Sequence, residues 1–261
     1  MDESTSNGTK KEFKGTLAHM LLSKKYWFIH FWIVSVISIM GLVYMGAATY
    51  MGAPPVPDFK NANGELVISE ADIMKGQEIF HLRGLMNYGS FWGDGAERGP
   101  DFTAEALHAI TVSMKGYYAN QIKPGSVTQD DRLREWRFDI SDYDKGAIEA
   151  KIAKELHVNN FDEETNTVVL SDAQAFSFEY INWYYTQMFT NADHPEAFHP
   201  LNYITDEQQL KELSAFFFWG AWTSAADRPG DDFSYTSNWP YDPAAGNTPP
   251  SDLIMWSFLS I

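Results

Sequence analysis

YGSFWGDGAERGPDFTAEALH, residues 88–108, changes character half-way along. Gly89, Gly93, Gly95 and Gly99 fall within eleven residues. A helical pattern follows, with Leu107, Ile110 and Met114 on one face. A loop this rich in glycine brings backbone close to something else. A phosphate does not suit it: there is no Walker lysine and no preceding strand, and Asp94 and Glu97 would repel the ligand. Asp94, Glu97 and loop carbonyls offer oxygens of the calcium type, but without the spacing of a dedicated cage. A tight surface turn is the plainer alternative.

The flanks of this loop read as helices. Ser69, with Asp72 three residues on, caps a helix to about Leu82. Thr103 opens a second, to about Gln121. Ser141 caps a third, in which Ile148, Ile152 and Leu156 repeat every four residues. NNFDEETNTVVL (159–170) is a turn followed by a strand. Ser171 starts an aromatic-rich helix, and Thr205 with Gln208 makes a capping box for the next, to about Ala226. Arg228-Pro229-Gly230 stops that helix, and the tail to Ser251 is loop by composition. The region from 53 to 250 therefore reads as one mostly helical domain.

Farther out, the segment from Tyr26 to Met51 is apolar, and no charged residue occurs between Lys25 and Asp58. At ~1.5 Å per residue, 26 helical residues reach about 39 Å, enough to cross a hydrocarbon core of ~30 Å. Tyr26, Trp27, Trp32 and Tyr50 sit near its ends, as interface aromatics do. The run is longer than a signal-peptide core, so it reads as an uncleaved anchor (26–52) behind a basic tail (1–25). That tail holds five lysines and a net charge of +2, against −16 for the whole chain of 261 residues. The lysines are therefore expected to stay in the cytoplasm, with the acidic bulk outside. The last residues, SDLIMWSFLSI (251–261), are either a packing segment or the opening of a second transmembrane helix.

The chain has no cysteine, which excludes disulfides, iron–sulfur clusters and thioether-bound haem. Its acidity argues against a nucleic-acid partner. The histidines show no metal-binding pair on a helix face; His194 and His199 are five apart in a loop, and loop histidines are usually solvated. No nucleophile triad or two-carboxylate site stands out. Phe216, Phe217, Phe218, Trp219 and Trp222 cover more than one face of a helix, a surplus that predicts contact with a partner or the membrane.

Two long stretches resemble one family. GQEIFHLRGLMNYGSFWGDGAERGPDFTAEALH (76–108) is similar to the N-terminal periplasmic region of quinol-dependent nitric oxide reductases. FFFWGAWTSAADRPGDDFSYTSNWPYDPAAGNTPPSD (216–252) resembles the segment leading those enzymes into their second transmembrane helix. The resemblance implies a mainly α chain: one N-terminal transmembrane helix, then a cytochrome c-like extracytoplasmic domain without haem, then the start of a further transmembrane helix at 251–261. The haem-attachment positions of related small subunits correspond to Leu85–Gly89, which here read LMNYG.

By the same resemblance, the chain sits in a bacterial inner membrane with its main domain in the periplasm. It binds no cofactor itself and docks on a core, fused or separate, that holds haem b, haem b3 and a non-haem iron. That assembly would use quinol to reduce two NO to N2O and water, and calcium is a further ligand seen among relatives. Gly93, Asp94, Gly95 and Arg98 would face the core, and Phe216, Phe217, Trp219, Trp222 and Arg228 would meet the core or the membrane. Glu97 departs from the aromatic common in the family, so no metal ligand is carried over. Full enzymes of this type are far longer, and their haem-ligand histidines lie beyond Ile261. Two rival expectations are the equivalent part of a nitric oxide dismutase-like relative and a membrane-anchored scaffold without a redox role.

Overall fold

The computed structural model describes residues 24–93, 99–130, 135–191, 194 and 199–259. The chain divides into two compact units between Ala53 and Pro54.

The first unit is built on helix α1 (Lys24–Met51). Its stretch from Tyr26 to Met51 is long and apolar enough to cross a membrane, and its large apolar side chains are exposed. Gly52 donates its N–H to Ala48 O in the last turn, and Pro54 and Pro55 have no N–H with which to continue.

The second unit begins with strand β1 (Asp58–Lys60), turns back into β2 (Leu66–Ile68), and enters helix α2 (Glu70–Leu82). The cap is the expected one. Ser69 Oγ accepts from Asp72 N, and the Asp72 carboxylate accepts from Ser69 N at 3.1 Å. Helix α3 (Phe102–Ile122) starts one residue before the expected Thr103 because Asp101, and not the threonine, caps it. Strands β3 (Val127–Asp130) and β4 (Glu135–Phe138) form an antiparallel ribbon, followed by α4 (Asp142–His157), capped by Ser141. A second antiparallel pair, β5 (Phe161–Asp162) and β6 (Thr167–Val169), leads into α5 (Asp172–Thr190), whose Ser171–Gln174 capping box is complete. Strand β6 lies parallel to β1 and completes a small sheet of order β2-β1-β6-β5.

Helix α6 (Glu207–Ala225) corrects two expectations. Its cap is Asp206, accepting from Gln209 N, rather than a Thr205–Gln208 box. More consequentially, every residue from Leu213 to Ala225 is buried, because α2, α3 and α5 pack around it. Phe216, Phe217, Trp219 and Trp222 are at most 6 % exposed, so the aromatic surplus is absorbed by the domain's own core rather than offered to a partner. A helix apolar on all sides is a central helix. Its buried carboxylate, Glu212, is paired with Lys75 at 3.5 Å. After a loop-rich tail, α7 (Ser251–Leu259) exposes Ile254, Met255 and Phe258.

Candidate functional site

The glycine loop leaves α2 through a 3-10 turn at Leu85–Asn87 and returns at Asp101. Its two stems are tied by backbone: Ser90 N donates to Pro100 O and Phe102 N to Ser90 O, both at 2.9 Å. Asp101 organises the junction. One carboxylate oxygen accepts from Ala104 N at 2.8 Å and caps α3. The other accepts from Ser90 Oγ at 2.7 Å and from the N–H of Gly93. A single side chain thus fixes the helix start and the first half of the loop. Asp101 was missed from sequence; the local signal was an Asp placed three residues before Ala104, one turn ahead of the apolar run.

Aromatic packing seats the same loop against α6. Phe91 stacks on Phe216 with ring centroids 4.4 Å apart. A Cβ at Gly220 would lie 2.6 Å from the Phe91 ring, so only glycine lets that ring reach α6. Trp92 donates its backbone N–H to Thr103 Oγ1 at 3.1 Å and its indole N–H to Thr223 Oγ1 at 3.2 Å.

What approaches the described glycines of this loop is the rest of the domain. Gly93 has φ +76°, and a Cβ there would fall 2.1 Å from Trp239 Nε1. A Cβ at Gly99 would fall 1.6 Å from Tyr88 O. Trp239 comes from the tail, 146 residues downstream by number, and is 47 % exposed, as Tyr241 is 45 % exposed beside it. Asp94, Gly95 and Arg98 lie outside the described residues. Arg228 donates to Tyr235 O at 2.7 Å and lies over the Tyr235 ring.

The tail that presents Trp239 is held at several points. Buried Asn247 donates to Ser224 O at 2.9 Å and Pro240 O at 2.8 Å, and Asn238 donates to Thr248 O at 2.8 Å. His157 of α4 meets Asp227 at 3.0 Å, and His108 of α3 meets Asp242 at 2.9 Å. Burial alone would push the Asp242 carboxyl up. The hydrogen bond and charge of His108, with the backbone N–H groups of Ala244 and Ala245, outweigh it and hold the carboxyl below its usual range.

Among the described residues, no three His, Asp or Glu side chains gather as a metal site would require. His194 packs against Tyr184 and His199 against Phe189, so each histidine has its own ring neighbour. Among the described residues, the arrangement offers two loop stems backed by aromatic rings and a tail held by hydrogen bonds.

Residues 57–241 match the family model of the NorB cytochrome c-like domain of nitric oxide reductase. The chain belongs to this family. No curated protein matches it. A cytochrome c-like domain implies a covalently held haem, and the residues of this nitric oxide reductase domain do not fit one. There is no cysteine to form a thioether. At Gly89, the last of the positions from Leu85 to Gly89, a Cβ would lie 2.5 Å from the Phe102 ring and 2.6 Å from Pro100 O, leaving no room for an axial histidine. Beside it, Phe102 stacks on Phe217 at 4.9 Å and Phe80 closes on Phe102 at 6.0 Å. Phenylalanine rings pack the space around the loop.

Proposed function

We propose that this chain supplies the anchor and the haem-free extracytoplasmic domain of a quinol-dependent nitric oxide reductase. Its N-terminal tail lies in the cytoplasm and its main domain in the periplasm. The domain docks on a membrane core that carries haem b, haem b3 and a non-haem iron, and electrons reach that core from quinol rather than through this domain. The observation that carries the proposal is the family match over a domain that has no cysteine and whose Gly89 is closed off by the Phe102 ring. A domain that keeps the fold without room for its own haem serves as a support, not as a carrier of electrons.

The docking face in this proposal is the glycine loop, through Gly93, Asp94, Gly95 and Arg98, with Trp239 and Tyr241 beside it. Half-exposed aromatic rings on a pinned scaffold are good interface anchors, since few rotamers are lost on contact. The catalytic side chains of the reaction are then supplied by the core.

The test is purification of the tagged chain from its native membranes in mild detergent, with its mass and a reduced-minus-oxidised spectrum. A b-type haem signal with quinol-driven loss of NO is the expected result. A haem-free product of this chain alone would overturn the proposal and favour a scaffold. A haem-bearing assembly that turns NO over without net reduction would mark a dismutase. Gly95→Trp should separate the domain from the core, and unchanged haem content after that substitution would sink the loop's role.

A further inference from the structure

One side of α5 borders a cavity of about 550 Å³, a volume of the size that small ligands occupy. Asp172, Phe176, Glu179 and Asn182 line it from α5, Leu66 from the edge strand β2, and Lys211 from α6. At about 100° per residue the four α5 positions fall within roughly 120° of arc, so they form one row. Seven residues at ~1.5 Å each put Asp172 and Glu179 about 10 Å apart along that row. Phe176 is 40 % exposed and Leu66 57 % exposed, so the row between the two carboxylates is apolar and open. The polar groups of the cavity are unused. Asn182 Oδ1 is buried and has no hydrogen-bond partner among the described residues. The side chains of Asp172, Glu179 and Lys211 make no ion pair or hydrogen bond there either. Two buried polar groups elsewhere on α5 are paired: Gln174 Oε1 accepts from Ser171 N at 2.9 Å, and Tyr185 Oη donates to Phe102 O at 2.6 Å.

A buried amide oxygen is almost always hydrogen-bonded, so one left open at the wall of a cavity calls for a donor from the cavity side. The two carboxylates ask for the same thing, since ionised Asp and Glu only accept. An anionic ligand would meet both of them, against the one cation, Lys211, among the lining residues. We infer that this cavity binds a linear diamine or polyamine, with one ammonium between Glu179 and Asn182 Oδ1, the other at Asp172, and the methylene chain lying over Phe176 and Leu66. An ammonium carries three donors and no acceptor, which matches what the row leaves open. The bonds it makes to carboxylates are charge-assisted, and an ammonium near the Phe176 ring gains from the ring's negative face as well. The spacing of the carboxylates selects a ligand with two separated charges over one with a single charge.

The experiment titrates spermidine into the full chain, purified from membranes in mild detergent, and follows binding by calorimetry, with butylamine as the single-ended comparison. Saturable binding of spermidine at one site per chain, with butylamine far weaker, is the expected result. Glu179→Gln and Asp172→Asn alter exposed side chains that hold nothing in the fold, and each should weaken spermidine about tenfold. Asn182→Leu should weaken it too, and Lys211→Met, which removes a competing charge, should tighten it severalfold. The absence of saturable binding would overturn the site. Equal weakening by Glu163→Gln, an exposed carboxylate outside the cavity, would show only a diffuse attraction to an acidic chain, and would overturn it as well. Butylamine binding as tightly as spermidine would overturn the two-ended ligand, and weaker binding in Lys211→Met would overturn the cation.

Discussion

Gly99 shows how narrowly the loop is built, because its α-carbon rests against the backbone of Tyr88 rather than against a yielding side chain. Gly99→Ala must therefore move one stem of the loop, at a cost of about 2 kcal/mol. Thermal unfolding of the full chain should drop by about 4–8 °C; an unchanged midpoint would mean that the stems shift freely. Parts of this site were legible in the sequence and parts were not. The glycine spacing announced a close approach, since only that explains four glycines within eleven residues. What approaches was illegible, because Trp239 reaches Gly93 through tertiary folding and leaves no local pattern. Asp101 was within reach, but Thr103 lay nearer the apolar run and took its place.

Among the elements, the caps of α2, α4 and α5 were readable because Ser69, Ser141 and Ser171 bond to backbone three residues on. Strands β1 and β2, three residues each, are too short to show an alternation, and they exist because they pair with each other and with β6. Helix α6 misled for a physical reason: an all-round apolar helix looks the same whether its cover is a partner or its own domain. The stability of the chain can tell these apart. Phe217→Ala should cost about 3–5 kcal/mol, whereas Tyr143→Ala, at a side chain 84 % exposed, should stay within about 0.5 kcal/mol. If Phe217→Ala leaves stability intact, the core assignment of α6 fails. The tail adds a dependence on pH. Because Asp242 is held below its unfolded value of ~3.9, its contribution is present above that value and lost as pH falls through the lower, folded one. Urea unfolding of His108→Ala should start less stable at pH 6 and fall less steeply between pH 5 and 3 than the unaltered chain.

At the scale of the whole molecule, the division between Ala53 and Pro54 separates a span with no core from a domain with a continuous one. Residues 54–250 expressed alone should keep their helical signal and cooperative melting, with a midpoint within a few degrees of the full chain. Loss of cooperativity on removing α1 would show that the anchor contributes to the fold. The parallel pairing of Asp58–Lys60 with Thr167–Val169 has a consequence in time. The first residues beyond the anchor wait for a partner that the ribosome makes roughly 110 residues later, which at about 5–20 residues per second is some 5–20 seconds. During that interval the nascent domain has helices but no closed sheet. Whatever chaperones meet the chain as it emerges meet it with the edge of β1 bare.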